Sequence, residues 1–138
     1  RLTLLQKLLA EKWPSYKGMV KDKLSVLKQY KFCICYENAK DIEGYITEKI
    51  FDAFAAGCIP VYWGASNIKS FIPQDCFIDR VKFSSYEELY AYLVSMSETE
   101  YNYRLDQIST YLNSEAHKLY EARYNAEVVV KAVLGNFK

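Results

Sequence analysis

Two short apolar runs constrain the fold of this chain more than any other feature. Phe32-Cys33-Ile34-Cys35-Tyr36 is continuous and apolar, and so is Cys58-Ile59-Pro60-Val61-Tyr62-Trp63. Between them Ile46, Ile50, Phe51 and Phe54 recur at helical spacing, and Gly57 stands where a helix would stop. Strands buried on both faces read as unbroken apolar runs, and a helix between two of them makes a β-α-β unit with parallel strands. Pro60 has no amide hydrogen to give to a ladder, so the first half of its strand is expected to stay unpaired.

The flanks extend this plan. Leu2, Leu5 and Leu9 with Leu4 and Leu8 predict a helix over 2–12 that Trp13-Pro14 ends. Val20, Leu24 and Leu27 predict a second helix, and Cys76–Asp79 a third strand. Ser85 with Glu88 and Ser97 with Glu100 have capping-box spacing. Tyr101, Leu105, Ile108 and Leu112 then stripe one helix, and Leu119, Ala126, Val129 and Val133 stripe the last. The fold class is therefore α/β: a Rossmann-like parallel sheet with flanking helices over 1–138, of which 84–138 is a helical C-terminal portion. A doubly wound domain normally starts with a strand. This one starts with a helix, which predicts truncation at the N-terminus.

Composition removes several function classes. Eighteen Lys and Arg against 17 Asp and Glu leave a net charge of +1, too little to draw nucleic acid or anionic lipid non-specifically. Lys17, Lys21, Lys23, Lys28 and Lys31 are near in sequence, but helical spacing spreads them. No apolar run reaches the roughly 20 residues of a membrane span, and no signal-peptide pattern is present. The four cysteines are read as buried reduced thiols, and there is no Cys-x-x-Cys pair for zinc. His117, the single histidine, is read as structural, and most of the 13 tyrosines as packing groups.

Chemistry is expected beyond the carboxyl ends of the strands. The first strand delivers Glu37 and Asn38 there, the following loop runs to Tyr45, and a helix opens near Thr47 with Glu48 and Lys49 in its first turn. The second strand delivers Gly64, Ala65, Ser66 and Asn67 to the same edge. A helix N-terminus with a lysine suits phosphate, and Glu48 can accept from hydroxyls. The bland alternative makes Glu48 a dipole-favoured carboxylate and Lys49 a solvated surface residue. The G-x-G-x-x-G and G-x-x-x-x-G-K-[ST] patterns are missing, which disfavours a dinucleotide oxidoreductase or a P-loop NTPase. No Asp-x-Asp pair is present to hold a metal on a pyrophosphate.

The run from Tyr30 to Asn38, then Gly44-Tyr45-Ile46-Thr47-Glu48-Lys49-Ile50, then Ala55-Ala56-Gly57-Cys58-Ile59-Pro60-Val61-Tyr62-Trp63-Gly64-Ala65 resembles the α-1,3/α-1,4-fucosyltransferases of glycosyltransferase family 10. Phe71-Ile72-Pro73 and Phe77-Ile78 match a later segment of that pattern. Tyr36, Ala39, Ile46 and Ser66 are mild departures, and none touches Tyr45, Glu48 or Lys49.

The resemblance implies the C-terminal half of a GT-B glycosyltransferase, whose donor domain binds GDP-fucose. It implies inverting, metal-independent transfer of fucose to an N-acetylglucosamine-containing glycan. Carried over by position, Lys49 neutralises the donor pyrophosphate, and Glu48 accepts from ribose or fucose hydroxyls. Tyr45 and Asn38 line the pocket, with Glu37 and Thr47 beside them, and Arg1 stands where the family has a phosphate-binding arginine. The general base is expected in an N-terminal acceptor domain that this chain lacks, so the isolated chain is expected to transfer little or no sugar. Two alternatives stay open: a non-catalytic α/β nucleotide-binding fragment, and a GT-B enzyme using another nucleotide sugar. With no Asn-x-Ser/Thr sequon and reduced cysteines, a cytoplasmic location is expected, with possible peripheral membrane association of the full-length protein. The eukaryotic alternative is the lumenal side of the Golgi membrane.

Overall fold

A computed structural model of the chain describes residues 18–118, Tyr120 and 122–135. The predicted helix over 2–12, and Arg1 with it, lie outside the described residues. Three parallel strands, β1 (Phe32–Tyr36), β2 (Ile59–Trp63) and β3 (Ile78–Asp79), form one sheet in the order β1-β2-β3. Helix α1 (Lys23–Leu27) precedes β1, and α2 (Glu48–Ala56) connects β1 to β2. After β3 come α3 (Tyr86–Ser95), α4 (Glu98–Leu112), the single turn α5 (Glu115–Lys118) and α6 (Ala122–Gly135). Among these helices none is long and apolar enough to cross a membrane.

The local signals are used much as the sequence implied. Asp22 caps α1 by accepting from the Leu24 amide at 3.0 Å. Gly57 ends α2 at φ 75°, the left-handed conformation that glycine adopts without strain. Ser85 and Ser97 each accept the amide three residues on, from Glu88 and Glu100, at 3.1 Å. The two boxes are only half closed. Glu88 turns back to the Ser84 amide, one residue earlier than the motif requires, and Glu100 pairs with Arg104 at 3.1 Å.

Four expectations need correction. Pro60 lies inside β2, paired with Cys33, in the central strand of the described sheet. The reason is directional. The Ile59 amide donates to Lys31 at 2.9 Å, so alternate residues of β2 point their amides toward β1. The nitrogen of Pro60 faces the other side, where β3 pairs only with Val61 and Tyr62. No ladder bond is lost.

The second correction concerns burial. β1 is not enclosed on both faces, since Ile34 is 69% exposed. Cys35 faces α2, where its thiol donates to the Lys49 carbonyl. Phe32, Ile34 and Tyr36 face the other way by the two-residue period. Phe32 meets Tyr101 of α4 edge-on at 6.1 Å and Tyr36 meets Trp63 at 5.4 Å, while Ile34 between them stays open. The predicted third strand is shortened by a 3-10 turn over Gln74–Cys76. Val129 and Val133 of the last stripe are exposed on α6 rather than packed.

The core lies between α2, the sheet and α4. Ile50 and Phe54 from α2 pack with Ile59, Val61 and Tyr62 from β2, Phe77 and Ile78 around β3, and Ile108 and Tyr111 from α4. This core holds β1, β2 and α2 as one unit, which fixes where the carboxyl ends of the strands present their side chains.

Candidate functional site

The loop leaving β1 is anchored to the exit of β2 at several points. The Glu37 amide donates to the Trp63 carbonyl at 2.8 Å and extends the ladder by one residue. Asp41 takes a left-handed turn at φ 60° and donates its amide to Gly64 at 3.0 Å. Gly44, at φ 71°, donates to Oδ1 of Asn67 at 2.8 Å. The Tyr62 hydroxyl accepts from the Ala65 amide at 3.0 Å and donates to the Tyr45 carbonyl at 3.4 Å. The chain therefore arrives at Thr47, the first residue before α2, in a fixed direction.

Glu37 is the centre of the arrangement. Its side chain is fully enclosed. Oε1 accepts from the Thr47 amide at 2.9 Å, and Oε2 accepts from the Thr47 hydroxyl at 2.7 Å and from Nζ of Lys49 at 3.1 Å. Burial alone would raise the carboxyl. The Thr47 amide and hydroxyl and the Lys49 ammonium outweigh it and hold Glu37 below the usual range. Both carboxylate oxygens are used within the protein, so Glu37 positions its neighbours and does not itself face a ligand.

Lys49 also donates to Oδ1 of Asn38 at 3.2 Å, and its side chain is 28% exposed. Its ammonium is thus fixed from below by Glu37 and from the side by Asn38. Thr47 gives its hydroxyl to Glu37 and makes no side-chain cap on α2. The first amides of that helix keep no side-chain acceptor, and the Lys49 ammonium, paired with Glu37, lies beside them. Glu48 is exposed at the first helical position. Tyr45 is half-buried just before it.

The structure therefore brings together Glu37, Asn38, Thr47 and Lys49 by direct bonds, with Tyr45 and Glu48 on the same rim. A cavity of about 530 Å³ opens beside this rim along α2, lined by Thr47, Glu48, Phe51, Asp52, His117 and Tyr120 among others. Of the rim residues only Thr47 and Glu48 line it; Glu37, Asn38, Tyr45 and Lys49 do not. His117 is wedged between the rings of Phe51 at 5.8 Å and Tyr111 at 5.6 Å, in keeping with a structural role. No cluster of three or more His, Cys, Asp or Glu suited to a metal exists among the described residues.

Two positioning residues escaped the sequence reading as such. Gly64 lies so close to the site that a Cβ there would meet Cγ of Glu37 and the Tyr62 hydroxyl, each at 2.5 Å. Asn67 anchors the loop through Gly44. In the sequence both are only parts of a small-residue turn; the Gly64 position directly after the second apolar run is the available signal.

A parallel β-α-β unit with a lysine in the first turn of its helix, at the carboxyl edge of the sheet, places the chain among the α/β folds. Comparison with known proteins agrees and goes further. The family model for the C-terminal part of glycosyltransferase family 10, the fucosyltransferases, matches residues 10–121, and the chain belongs to that family. The Helicobacter pylori alpha-(1,3)-fucosyltransferase FucT is 36% identical over 121 residues, covering 86% of this chain and 24% of that protein. An alpha-(1,4)-fucosyltransferase of Arabidopsis thaliana is 42% identical over 72 residues, covering 52% of this chain and 18% of that protein. A solved alpha1,3-fucosyltransferase with GDP-fucose superposes with a TM-score of 0.57 at 30% identity, over 72% of this chain and 32% of that one. The same score range holds for an alpha1,3-fucosyltransferase with GDP, at 0.58. The chain thus spans about a quarter or less of the length of these curated relatives.

Proposed function

We propose that this chain forms the GDP-fucose-binding part of an inverting fucosyltransferase that needs no metal. The observation that carries the reading is the Lys49 ammonium, fixed by Glu37 and Asn38 beside the uncapped start of α2. A leaving diphosphate gains negative charge as its bond to the sugar breaks. A fixed cation and a helix N-terminus aimed at that charge stabilise the transition state more than the ground state. They supply the countercharge that a divalent ion supplies elsewhere. Glu48 and Tyr45, on the rim, accept and donate to the sugar hydroxyls, and Arg1 adds a second phosphate contact.

The relatives support the donor side in particular. Their names differ in linkage and acceptor: alpha-(1,3), alpha-(1,4), and a GDP-fucose protein O-fucosyltransferase 3 of Xenopus laevis that is 37% identical over 76 residues. What they share is fucosyl transfer, so the segment shared with this chain is best read as the donor half. We take the acceptor to be a glycan with an N-acetylglucosamine unit, as in the name of a mouse 4-galactosyl-N-acetylglucosaminide 3-alpha-L-fucosyltransferase 9 that is 36% identical over 96 residues, and the general base to lie on an acceptor half beyond this chain.

Thermal unfolding with GDP-fucose, GDP-mannose and UDP-glucose tests the reading. A ligand at 100 times its dissociation constant stabilises by about 2.7 kcal/mol. At about 3 °C per kcal/mol for a chain this size, GDP-fucose should raise Tm by about 8 °C. A larger rise with UDP-glucose would favour the other nucleotide-sugar reading, and no rise with any of the three would favour a non-binding fragment.

A further inference from the structure

The cavity along α2 differs from the rim in what it offers. Its volume of about 530 Å³ is within the ordinary range of a small-molecule site. Ile46, Phe51, Ala55 and Leu112 give it apolar wall, and His117 and Tyr120 add two rings. The Phe51 ring meets Tyr120 at 4.8 Å and His117 at 5.8 Å, tilted by 36° and 48°. The Nδ1 of His117 is buried and has no hydrogen-bond partner among the described residues. No lysine or arginine lines the cavity, whereas Glu48 and Asp52 both do.

The charges decide which ligand fits. Two carboxylates and no cation make a poor seat for a diphosphate, so this is not the place of the donor's phosphates. Asp52 is already paired with Lys23. Glu48 feels the same lysine through space but makes no hydrogen bond among the described residues. The Tyr120 hydroxyl makes none either; only the Tyr120 amide is bonded, to the His117 carbonyl at 2.9 Å. A free carboxylate and a free hydroxyl beside aromatic rings match a neutral sugar, whose hydroxyls give and accept hydrogen bonds and whose C–H face packs on such rings. A ligand hydroxyl is also the kind of group that the unpaired His117 nitrogen lacks.

We propose that this cavity is a sugar subsite that seats a pyranose ring of the acceptor glycan. Assigning the ring to the acceptor rests on the proposed donor role; the affinity for a neutral sugar does not. Glu48 belongs to both the rim and the cavity. A ring held against Phe51 and Tyr120 therefore lies beside the sugar that the rim holds on the diphosphate, with the Glu48 carboxylate between them. The donor half then contributes to acceptor binding as well. The competing ligand is an ammonium ion, which aromatic rings and a carboxylate also attract. His117 weighs against it, because a ring that can itself take up a proton repels a cation when charged.

The test is a titration of the isotopically labelled chain with N-acetyllactosamine, followed by NMR, with and without saturating GDP. GDP carries no fucose, so no transfer occurs. The disaccharide should shift the resonances of Phe51, Ala55, His117 and Tyr120 with millimolar affinity. Tyr120→Ala removes a ring and the free hydroxyl, and should weaken binding about tenfold. Ala55→Phe, at an exposed helical position, should fill the cavity and abolish the shifts. Thermal unfolding of both variants checks that they are folded. Shifts confined to other residues, no shifts at all, native affinity in both folded variants, or shifts here with tetramethylammonium and none with the disaccharide would each overturn the proposal. Disaccharide binding without GDP binding would uphold the sugar subsite and remove the donor role. GDP binding without disaccharide binding would do the reverse.

Discussion

Gly64→Ala is the substitution that probes the site most severely for the smallest chemical change. The added methyl would lie 2.5 Å from Cγ of Glu37, 2.5 Å from the Tyr62 hydroxyl and 2.8 Å from its Cζ. Neither neighbour can yield cheaply. Glu37 is held by three hydrogen bonds and Tyr62 is 1% exposed with its hydroxyl engaged on two backbone groups. Forcing a methyl into a packed site costs about 1–3 kcal/mol, and the rigidity on both sides places this case near the top, at about 3. For a chain this size that is a fall in Tm of about 10 °C. Displacing Glu37 also frees Lys49, so GDP affinity should fall by about tenfold, equal to about 1.4 kcal/mol. The assay is thermal unfolding followed by GDP titration of the folded variant. Gly135→Ala, with nothing within 4 Å of the added carbon, serves as the control and should leave Tm unchanged or slightly higher. A Gly64→Ala protein with unchanged Tm and unchanged GDP affinity would refute the claim that Gly64 makes room for the Glu37 platform.

Two further outcomes follow from the same contacts. Glu37→Gln should cost about 2 kcal/mol at neutral pH, because hydrogen bonds to a charged group are lost and Lys49 keeps only Asn38. The native carboxyl is held below its ordinary value of 4.5, so its contribution is complete above that value and disappears as pH falls through the lower folded value. Denaturant unfolding below about pH 4.5 should therefore show a steeper loss for the native chain than for Glu37→Gln. Tyr62→Phe removes the acceptor of the Ala65 amide and the donor to Tyr45. A loss of about 1–2 kcal/mol in denaturant unfolding is expected, and a loss below the error of the measurement would show that the β2 exit does not depend on that hydroxyl.

The sequence shows the β1-α2-β2 unit plainly because two unbroken apolar runs and one helical stripe admit few other arrangements. Gly57, Ser85 and Ser97 mark helix ends by local chemistry alone, and they act where their identities suggest. Two of the misreadings share one cause, which is direction. Pro60 is harmless only because of the side its nitrogen faces, and Ile34 is exposed because it points to the face opposite α2, between the partners of Phe32 and Tyr36. Neither fact is carried by residue type. The candidate site was legible as a set, since Glu37, Asn38, Thr47 and Lys49 all fall at strand ends or a helix start. The inward turn of Glu37 was not, because its partners are ten and twelve residues away and its room depends on Gly64 at the exit of β2. Glu88 and Glu100 leave their capping boxes for partners only four residues away, Ser84 and Arg104, so there the spacing offered two local partners and did not choose between them.

Lys49 as the diphosphate anchor is the central element of the proposed function. Isothermal calorimetry of GDP against the native chain and Lys49→Ala tests that most directly. The predicted result is binding by the native chain and an affinity about 10–100 times weaker in the variant, the loss of one charge-assisted phosphate contact. Equal affinities in two folded proteins would contradict it and move the phosphate site away from the start of α2.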